Sequence, residues 1–376
     1  MPGAAGPGQQ DRGWRASVGD VPHSDCDVLV VGAGVSGLTT GICLAEQGLR
    51  VAIWARRPPQ ETTSSVAGAI WGPHMVEEGE QTARRARETL RVLRELASGS
   101  HAGVRIAHGI EAHRTPAHSP GFLSRLSELT GVRPCEAAEL PAGFTSGWRY
   151  GAPLAHMPTY LGYLLARFER AGGAVKAATV RSLAGAARSA GAAAVVNCAG
   201  VGAQRLAHDP SVVPVRGQVV VVANPGMDEF FIGLGDESAE LIYMFPHGDT
   251  VILGGTEKVG DWNLEPYPAV AERILRDCAE IEPRLSGTRV LAHRVGLRPV
   301  RPLVRLEASR PGGAAGDTQG REGPLVVHNY GHGGAGVTLS WGCAREAAQL
   351  ITERLTSERL TSGQPATEGP ATEHPG

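Results

Sequence analysis

Nowhere in the 376 residues is there a run of the ~18 or more apolar positions that a helix needs to cross a bilayer, so no membrane-spanning segment is expected. Charge excess is missing too. Lys and Arg number 36 against 38 Asp and Glu, and a net charge of -2 gives no reason to expect nucleic acid or a membrane surface as a partner. The six cysteines (Cys26, Cys43, Cys135, Cys198, Cys278, Cys343) lie far apart, with no C-x-x-C pair and no Cys/His cluster at metal-ligand spacing. Reduced thiols in a cytoplasmic protein with no metal site are the plain expectation. The opening MPGAAGPGQQDRGWRASVGDVPHS lacks the charged start and apolar core of a secretory signal, and the chain ends in HPG rather than in a peroxisomal address of the SKL type. Residues 1–24 and 361–376, rich in Gly, Pro and polar side chains, cannot bury enough apolar surface to order themselves and are expected to be disordered tails. What remains, 42% hydrophobic and 20% charged, is the composition of a globular protein long enough for two lobes.

The first ordered stretch is CDVLVVGAGVSGLTTGICLAEQGLRVAIWARR. Val28 to Val31 is a short apolar run of the kind buried on both faces of a parallel sheet. Gly32, Gly34 and Gly37 then spell G-x-G-x-x-G at the start of a helix running to Gly48, a natural C-terminal cap, and a second strand spans Arg50 to Ala55. Such glycines let a pyrophosphate approach the helix N-terminus, where free amide donors and the helix dipole favour anions. The strand–turn–helix–strand setting favours dinucleotide binding over a chance Gly-rich turn. The Asp or Glu that usually ends the second strand is absent. Trp54, Ala55, Arg56 and Arg57 stand there instead, and the arginines suit a phosphate or an adenine face. A second fingerprint is also absent, which turns the expected cofactor from NAD toward FAD with a non-nicotinamide oxidant.

Further along, TARRARETLRVLRELA places Ala83, Ala86, Leu90, Leu93 and Ala97 at helical spacing and predicts an amphipathic helix with a solvated, arginine-rich outer side. His101, His108 and His113 share no ligand spacing and are expected at the surface. A helix over about Pro158 to Ala171, a strand near Val175 to Leu183 and a buried strand in AAAVVNCAG follow. From Val215 to about Thr256 the pattern becomes antiparallel, with a His-Gly-Asp turn inside LIYMFPHGDTVILGGT. A last strand, PLVVHNY, enters GHGGAG and a helix from about Gly336 to Arg359. The expected class is α/β, with one βαβ-type lobe visited three times (25–75, 155–214, 295–360) and a mainly β lobe visited twice (76–154, 215–294).

One stretch concentrates cations: GLRPVRPLVRLE, residues 296–307. Pro299 and Pro302 exclude a helix, and in an extended chain side chains alternate between two faces. Arg298 then shares its face with Val300, Pro302, Val304 and Leu306, whereas Arg301 and Arg305 take the other. A guanidinium among apolar neighbours needs an anion, and its planar fork suits a carboxylate or phosphate. Taken alone, the stretch fits surface or structural arginines in a basic strand better than an anion site.

Five stretches in order, VLVVGAGVSGLTTG, SSVAGAIWGPH, VVNCAGVGA, GLRPVRPLVRLE and HNYGHGGAGVTLSWGCA, make the chain resemble the D-amino-acid oxidase family of flavoenzymes over about Asp27 to Leu355. The resemblance implies an FAD-binding Rossmann-like lobe of the glutathione-reductase type, interwoven with a mainly antiparallel substrate lobe. It implies that Arg298 binds the substrate carboxylate, that the Tyr243 hydroxyl assists, and that Gly334 offers its carbonyl to the amine. It assigns flavin contacts to Gly32, Ala33, Gly34, Val35, Ser36 and Gly37, to Arg56 and Arg57, and to Thr62, Thr63 and Ser64. Further flavin contacts fall on Gly68, Ala69, Ile70, Val180, Ala199 and Arg298, and on Gly333, Gly334, Gly336, Val337 and Thr338.

The implied reaction is FAD-dependent oxidative deamination of neutral D-amino acids, with dioxygen as oxidant and 2-oxo acid, ammonia and hydrogen peroxide as products. Positioning carries the catalysis and no side chain is assigned as acid or base. The chain departs from the family at Gly72, where glutamine is frequent, and at Ala335, where an aromatic is frequent; both suggest extra room above the flavin. ESAELIYM lacks the lid-like tyrosine of animal members, and His74 stands where D-aspartate oxidases also show histidine. D-aspartate oxidase, a glycine or secondary-amine oxidase, and an inactive flavin-binding protein stay open as alternatives, as does a homodimer.

Overall fold

The computed structural model describes residues 26–115, 128–235, 241–310 and 323–362, with side chains to position 357. The expected N-terminal tail and residues 363–376 fall outside these. The last helix runs to Ser362, two residues into the segment expected to be disordered.

Strand β1 (Val28–Val31), buried at all four positions, pairs in parallel with β2 (Val51–Ala55) on one side and with β7 (Ala194–Asn197) on the other. Continuous apolarity is what a strand covered on both faces allows. Helix α1 (Val35–Ala45) joins β1 to β2, and Gly48 after it has φ +86°, the left-handed conformation of a C-terminal glycine cap. Beyond β2 lies β6 (Ala174–Ala177), also parallel, and on the far side of β7 lies β14 (Leu325–His332), parallel again and fully buried.

The expected strand from Val175 to Leu183 is too long. It stops at Ala177, and LAGAARS forms a short helix, Leu183–Ser189, whose N-cap Ser182 accepts a hydrogen bond from the Gly185 amide. Alanine propensity and a serine cap outweigh the apolar run that suggested a strand.

The mainly antiparallel part, in which only β3 and β9 pair in parallel, follows the order β4 (Thr130–Pro134), β5 (Ser146–Ala155), β3 (Val104–His113), β9 (Phe230–Leu234), β10 (Ile242–His247), β11 (Thr250–Gly254), β8 (Val213–Ala223). Both parts belong to one sheet because of β13 (Val290–Ser309). Its first half lies antiparallel on β8, and its second half, after a register shift between Val300 and Arg305, lies on β14. At ~3.3 Å per residue these twenty positions span roughly 65 Å, enough to run from one part of the sheet into the other.

Helices cover the sheet. The amphipathic stretch is α2 (Glu80–Ala97), packed on the C-terminal α7 (Gly336–Ser362), and its Ala86, Leu90 and Leu93 share a core with Leu38 and Ile42 of α1. Its arginine side is not wholly solvated. Arg85 is 3% exposed and forked onto Glu346 of α7 at 2.8 and 2.9 Å. A guanidinium can be buried when a carboxylate takes both arms of its fork. His113 also differs from its expected surface position: it ends β3 inside the sheet, 7% exposed. Among the described residues no helix is long and apolar enough to cross a membrane, and no group of His, Cys, Asp and Glu could hold a metal ion.

Candidate active site

The glycines after β1 fold as a tight cradle. Gly32 has φ +111°, and a Cβ on it would lie 2.4 Å from the Cys198 carbonyl oxygen; a Cβ on Gly37 would lie 1.8 Å from the Gly32 oxygen. Only glycine fits either position. Gly34 is the N-cap of α1, with no side-chain cap and no acidic residue in the first turn, so the dipole end is left for an anion. The Val35 amide donates to Ser64 Oγ at 3.0 Å, tying the helix start to the turn at 62–64. Thr62 and Thr63 give their hydroxyls to the Pro59 and Leu297 carbonyls, so their side chains brace the turn. Arg56 and Arg57 stand exposed at the end of β2, on the rim.

From this cradle one continuous cavity of about 2380 Å³ runs past Gly68, Ala69 and Ile70, past Val180 and Ala199, to the turn at 333–338. Ordinary small-molecule sites occupy ~300–1,000 Å³, so this volume suits a dinucleotide together with a small substrate. Every expected site residue lines it except Gly37, which stands one layer back against Gly32 and Cys198. At the far end Gly333 has φ +55°, and a Cβ on it would meet the Met75 oxygen at 1.8 Å. The Gly334 amide donates to the His74 oxygen at 3.1 Å, and Thr338 bridges both backbone groups of Gly72 at 3.1 and 2.9 Å. The segment 72–75 is thereby pinned to the start of α7. The uncapped α1 terminus, the glycines that admit backbone approach and the elongated cavity fit FAD.

Arg298 projects into this cavity. Its Nη1 donates to the Thr256 carbonyl at 2.8 Å, and its guanidinium lies over Gly217, where a Cβ would come within 2.5 Å of Nη1. Among the described residues no carboxylate forms an ion pair with it. Arg301 and Arg305 turn away to Asp209, with Arg301 Nε 2.9 Å from its Oδ2 and the Tyr330 hydroxyl donating to the same oxygen at 2.9 Å. Tyr243, 6% exposed, stacks on Phe245 with ring centroids 4.7 Å apart, and its ring rests on Gly254 and Gly255. Burial pushes the Tyr243 phenol up and the nearby Arg298 guanidinium opposes this, leaving a protonated hydroxyl that can donate.

Several features of the site carry no signal in the sequence. His74 Nε2 lies 2.7 Å from Glu257 Oε1. Trp262 and Leu264 line the mouth while 51% and 42% exposed. Glu111 and Tyr150, joined at 2.6 Å, form part of the wall together with His113. His74 closes the SSVAGAIWGPH stretch, but the others sit in no motif, and only the tertiary fold brings them here. Ala335, expected above the flavin, faces the hydrophobic core with no exposure, because the turn sends alternate residues to opposite sides. Extra room rests on Gly72 alone, where a Cβ would meet nothing within 4 Å. The question of the lid tyrosine falls largely on residues 236–240, outside the described residues.

The family model described as FAD dependent oxidoreductase matches residues 27–350. A D-amino-acid oxidase of Rubrobacter xylanophilus is 48% identical over 323 residues, covering 86% of this chain and 94% of the relative. A second, of Streptomyces coelicolor, is 45% identical over 327 residues, covering 87% and 97%. The D-aspartate oxidase of Homo sapiens is 33% identical over 338 residues, covering 87% and 94%. In fold, the chain is similar to glycine oxidase from Geobacillus kaustophilus, with a TM-score of 0.70 at 20% identity over 87% of this chain and 95% of that one. The glycine cradle, the cavity and these matches together place the chain in the DAO family of FAD-dependent oxidoreductases.

Proposed function

We propose that this oxidoreductase is a D-amino-acid oxidase, converting neutral D-amino acids, dioxygen and water to 2-oxo acids, ammonia and hydrogen peroxide. The observation that carries the reading is Arg298: a half-buried guanidinium fixed by the Thr256 carbonyl, beside a buried tyrosine hydroxyl, with no carboxylate in ion-pair contact with it among the described residues. Such a group is an anion site, and the substrate's α-carboxylate fills it with charge-assisted hydrogen bonds. The similarity to two D-amino-acid oxidases at 45–48% identity supports the same chemistry.

With the carboxylate held by Arg298 and Tyr243, the amine is directed toward the turn at 333–334, where the Gly334 carbonyl accepts a hydrogen bond from it. Bound FAD supplies the chemistry of accepting a hydride from the substrate α-carbon and of reduction of dioxygen. The protein's part is orientation and exclusion of water, which suffices when the amine reacts in its neutral form. Gly32, Gly34 and the start of α1 hold the pyrophosphate, with Arg56 and Arg57 at the outer end. The six cysteines are all free thiols, which suits the proposed cytoplasmic location.

Oxygen uptake and anaerobic bleaching of the flavin spectrum, measured across D-alanine, D-valine, D-aspartate, glycine and sarcosine, test the reading. Bleaching by neutral D-amino acids is expected; a flavin left oxidised by all five would point to a binding protein without catalysis.

A further inference from the structure

Glu257 and His74 come from segments 183 positions apart and meet beside the cavity, which His74 lines. Glu257 directly follows Thr256, whose carbonyl holds Arg298. His74 packs on Gly334: a Cβ there would lie 2.4 Å from the imidazole Cδ2, and the Gly334 amide donates to the His74 oxygen. The carboxylate–imidazole contact of 2.7 Å therefore spans from the carboxylate-binding side of the site to the amine-binding side.

The loop carrying Glu257 is held from below. Arg216, 1% exposed, donates to the Asn263 and Glu265 carbonyls at 2.8 and 2.6 Å and lies 4.1 Å from the centre of the Tyr267 ring. Gln218 bonds both backbone groups of Tyr267 at 2.9 Å. These bonds fix residues 263–267, which follow Glu257 in the same connection.

Resting on the reading of the enzyme as a D-amino-acid oxidase, we propose that Glu257 selects the substrate side chain by charge. It sets a fixed anion behind His74, whose imidazole lines the cavity. A second carboxylate is repelled, and neutral or cationic side chains are admitted. Its carboxyl is held below the ordinary range by the His74 contact, against burial and with help from Arg298, so the anion persists at neutral pH. Its field also reaches the Tyr243 hydroxyl. Family membership leaves the side chain undecided, because the relatives include both D-amino-acid and D-aspartate oxidases.

The test is kcat/KM for D-valine, D-aspartate and D-lysine with the FAD-loaded parent and with Glu257→Gln, Glu257→Asp and Glu257→Arg. The D-aspartate to D-valine ratio is expected to rise about tenfold in the isosteric Gln variant and further in the Arg variant, as removal and reversal of a like charge require. The D-lysine to D-valine ratio is expected to fall in the same order, and Glu257→Asp to keep ratios close to the parent's. A purely structural role would lower all three substrates together. Ratios that stay within about twofold in the Gln variant overturn the proposal, whatever the absolute rates. A parent that oxidises none of the three overturns the underlying reading, and the selectivity proposal with it.

Discussion

Three arginines within eight positions of one strand have separate fates, and alternation of side chains decides them. Arg298 enters the cavity, whereas Arg301 and Arg305 converge on Asp209. Burial raises the Asp209 carboxyl, but hydrogen bonds from Ser211, Tyr330 and Arg301 outweigh it and hold the group well below the usual carboxylate range. Arg298→Leu is expected to retain the fold and FAD while weakening binding of benzoate, since a charge-assisted hydrogen bond contributes ~1.5–3 kcal/mol and a fork supplies two. Arg298→Lys restores charge but not the fork and should remain impaired. Arg301→Leu is the control: its melting temperature should drop while benzoate affinity holds. Titration of flavin absorbance with benzoate reads both, and tight benzoate binding by Arg298→Leu would remove Arg298 from the carboxylate site. Parity made this arginine legible from sequence. Glu257 was not legible, because its meaning depends on a histidine 183 positions earlier.

At the scale of elements, the hairpin of β10 and β11 is built around one ring. Tyr243 pairs across from Gly254, and the absence of side chains at Gly254 and Gly255 makes the floor on which it lies. A Cβ on Gly254 would come 2.1 Å from Tyr243 Cζ, so Gly254→Ala must displace the phenol from its place beside Arg298. Steady-state kinetics should show KM for a neutral D-amino acid raised about tenfold or more, the loss of one charge-assisted hydrogen bond, with FAD content unchanged. An unaltered KM would mean that the hydroxyl takes no part in holding substrate. The LGGT motif shows where the strand ends, but only the strand pairing shows why two small residues are needed there. Elsewhere sequence patterns misjudge elements where local propensity and burial compete: LAGAARS is a capped helix despite its apolar start, and Arg85 leaves the solvated side of α2 for Glu346.

Across the whole molecule, burial keeps several histidines neutral. His247, His328 and His332 are each brought down to about 4, in every case chiefly by desolvation, with nearby arginines adding to it. An unfolded histidine titrates near ~6.5, so between that pH and about 4 the unfolded chain binds protons that the native state refuses. Their contribution to stability is fully present above pH ~6.5 and is lost as pH falls toward 4. The depressed carboxyls of Asp209 and Glu257 act in the same sense, but lower, below their unfolded values near ~4. The melting temperature of the FAD-loaded enzyme is therefore expected to decline between pH 7.5 and 5.5, before any carboxylate of ordinary pKa titrates. A flat profile over that interval would show that these histidines titrate in the native state as they do in the unfolded chain.

Consecutive residues alone mark the glycine turn after β1 and the strand face on which Arg298 lies. A G-x-G-x-x-G turn between a buried strand and a helix is a local device whose φ angles and close backbone approach admit only glycine, and two prolines enforce the extended chain that sorts Arg298 from its neighbours. Local chemistry of this kind is written in consecutive residues. Tertiary structure alone decided that β13 would carry both lobes on one sheet, that Ala335 would face the core and not the flavin side, and that Glu257 would meet His74 over Gly334. These outcomes depend on which strands pair and in what register, a choice made by long-range burial and backbone hydrogen bonding, for which no short run of sequence holds the information.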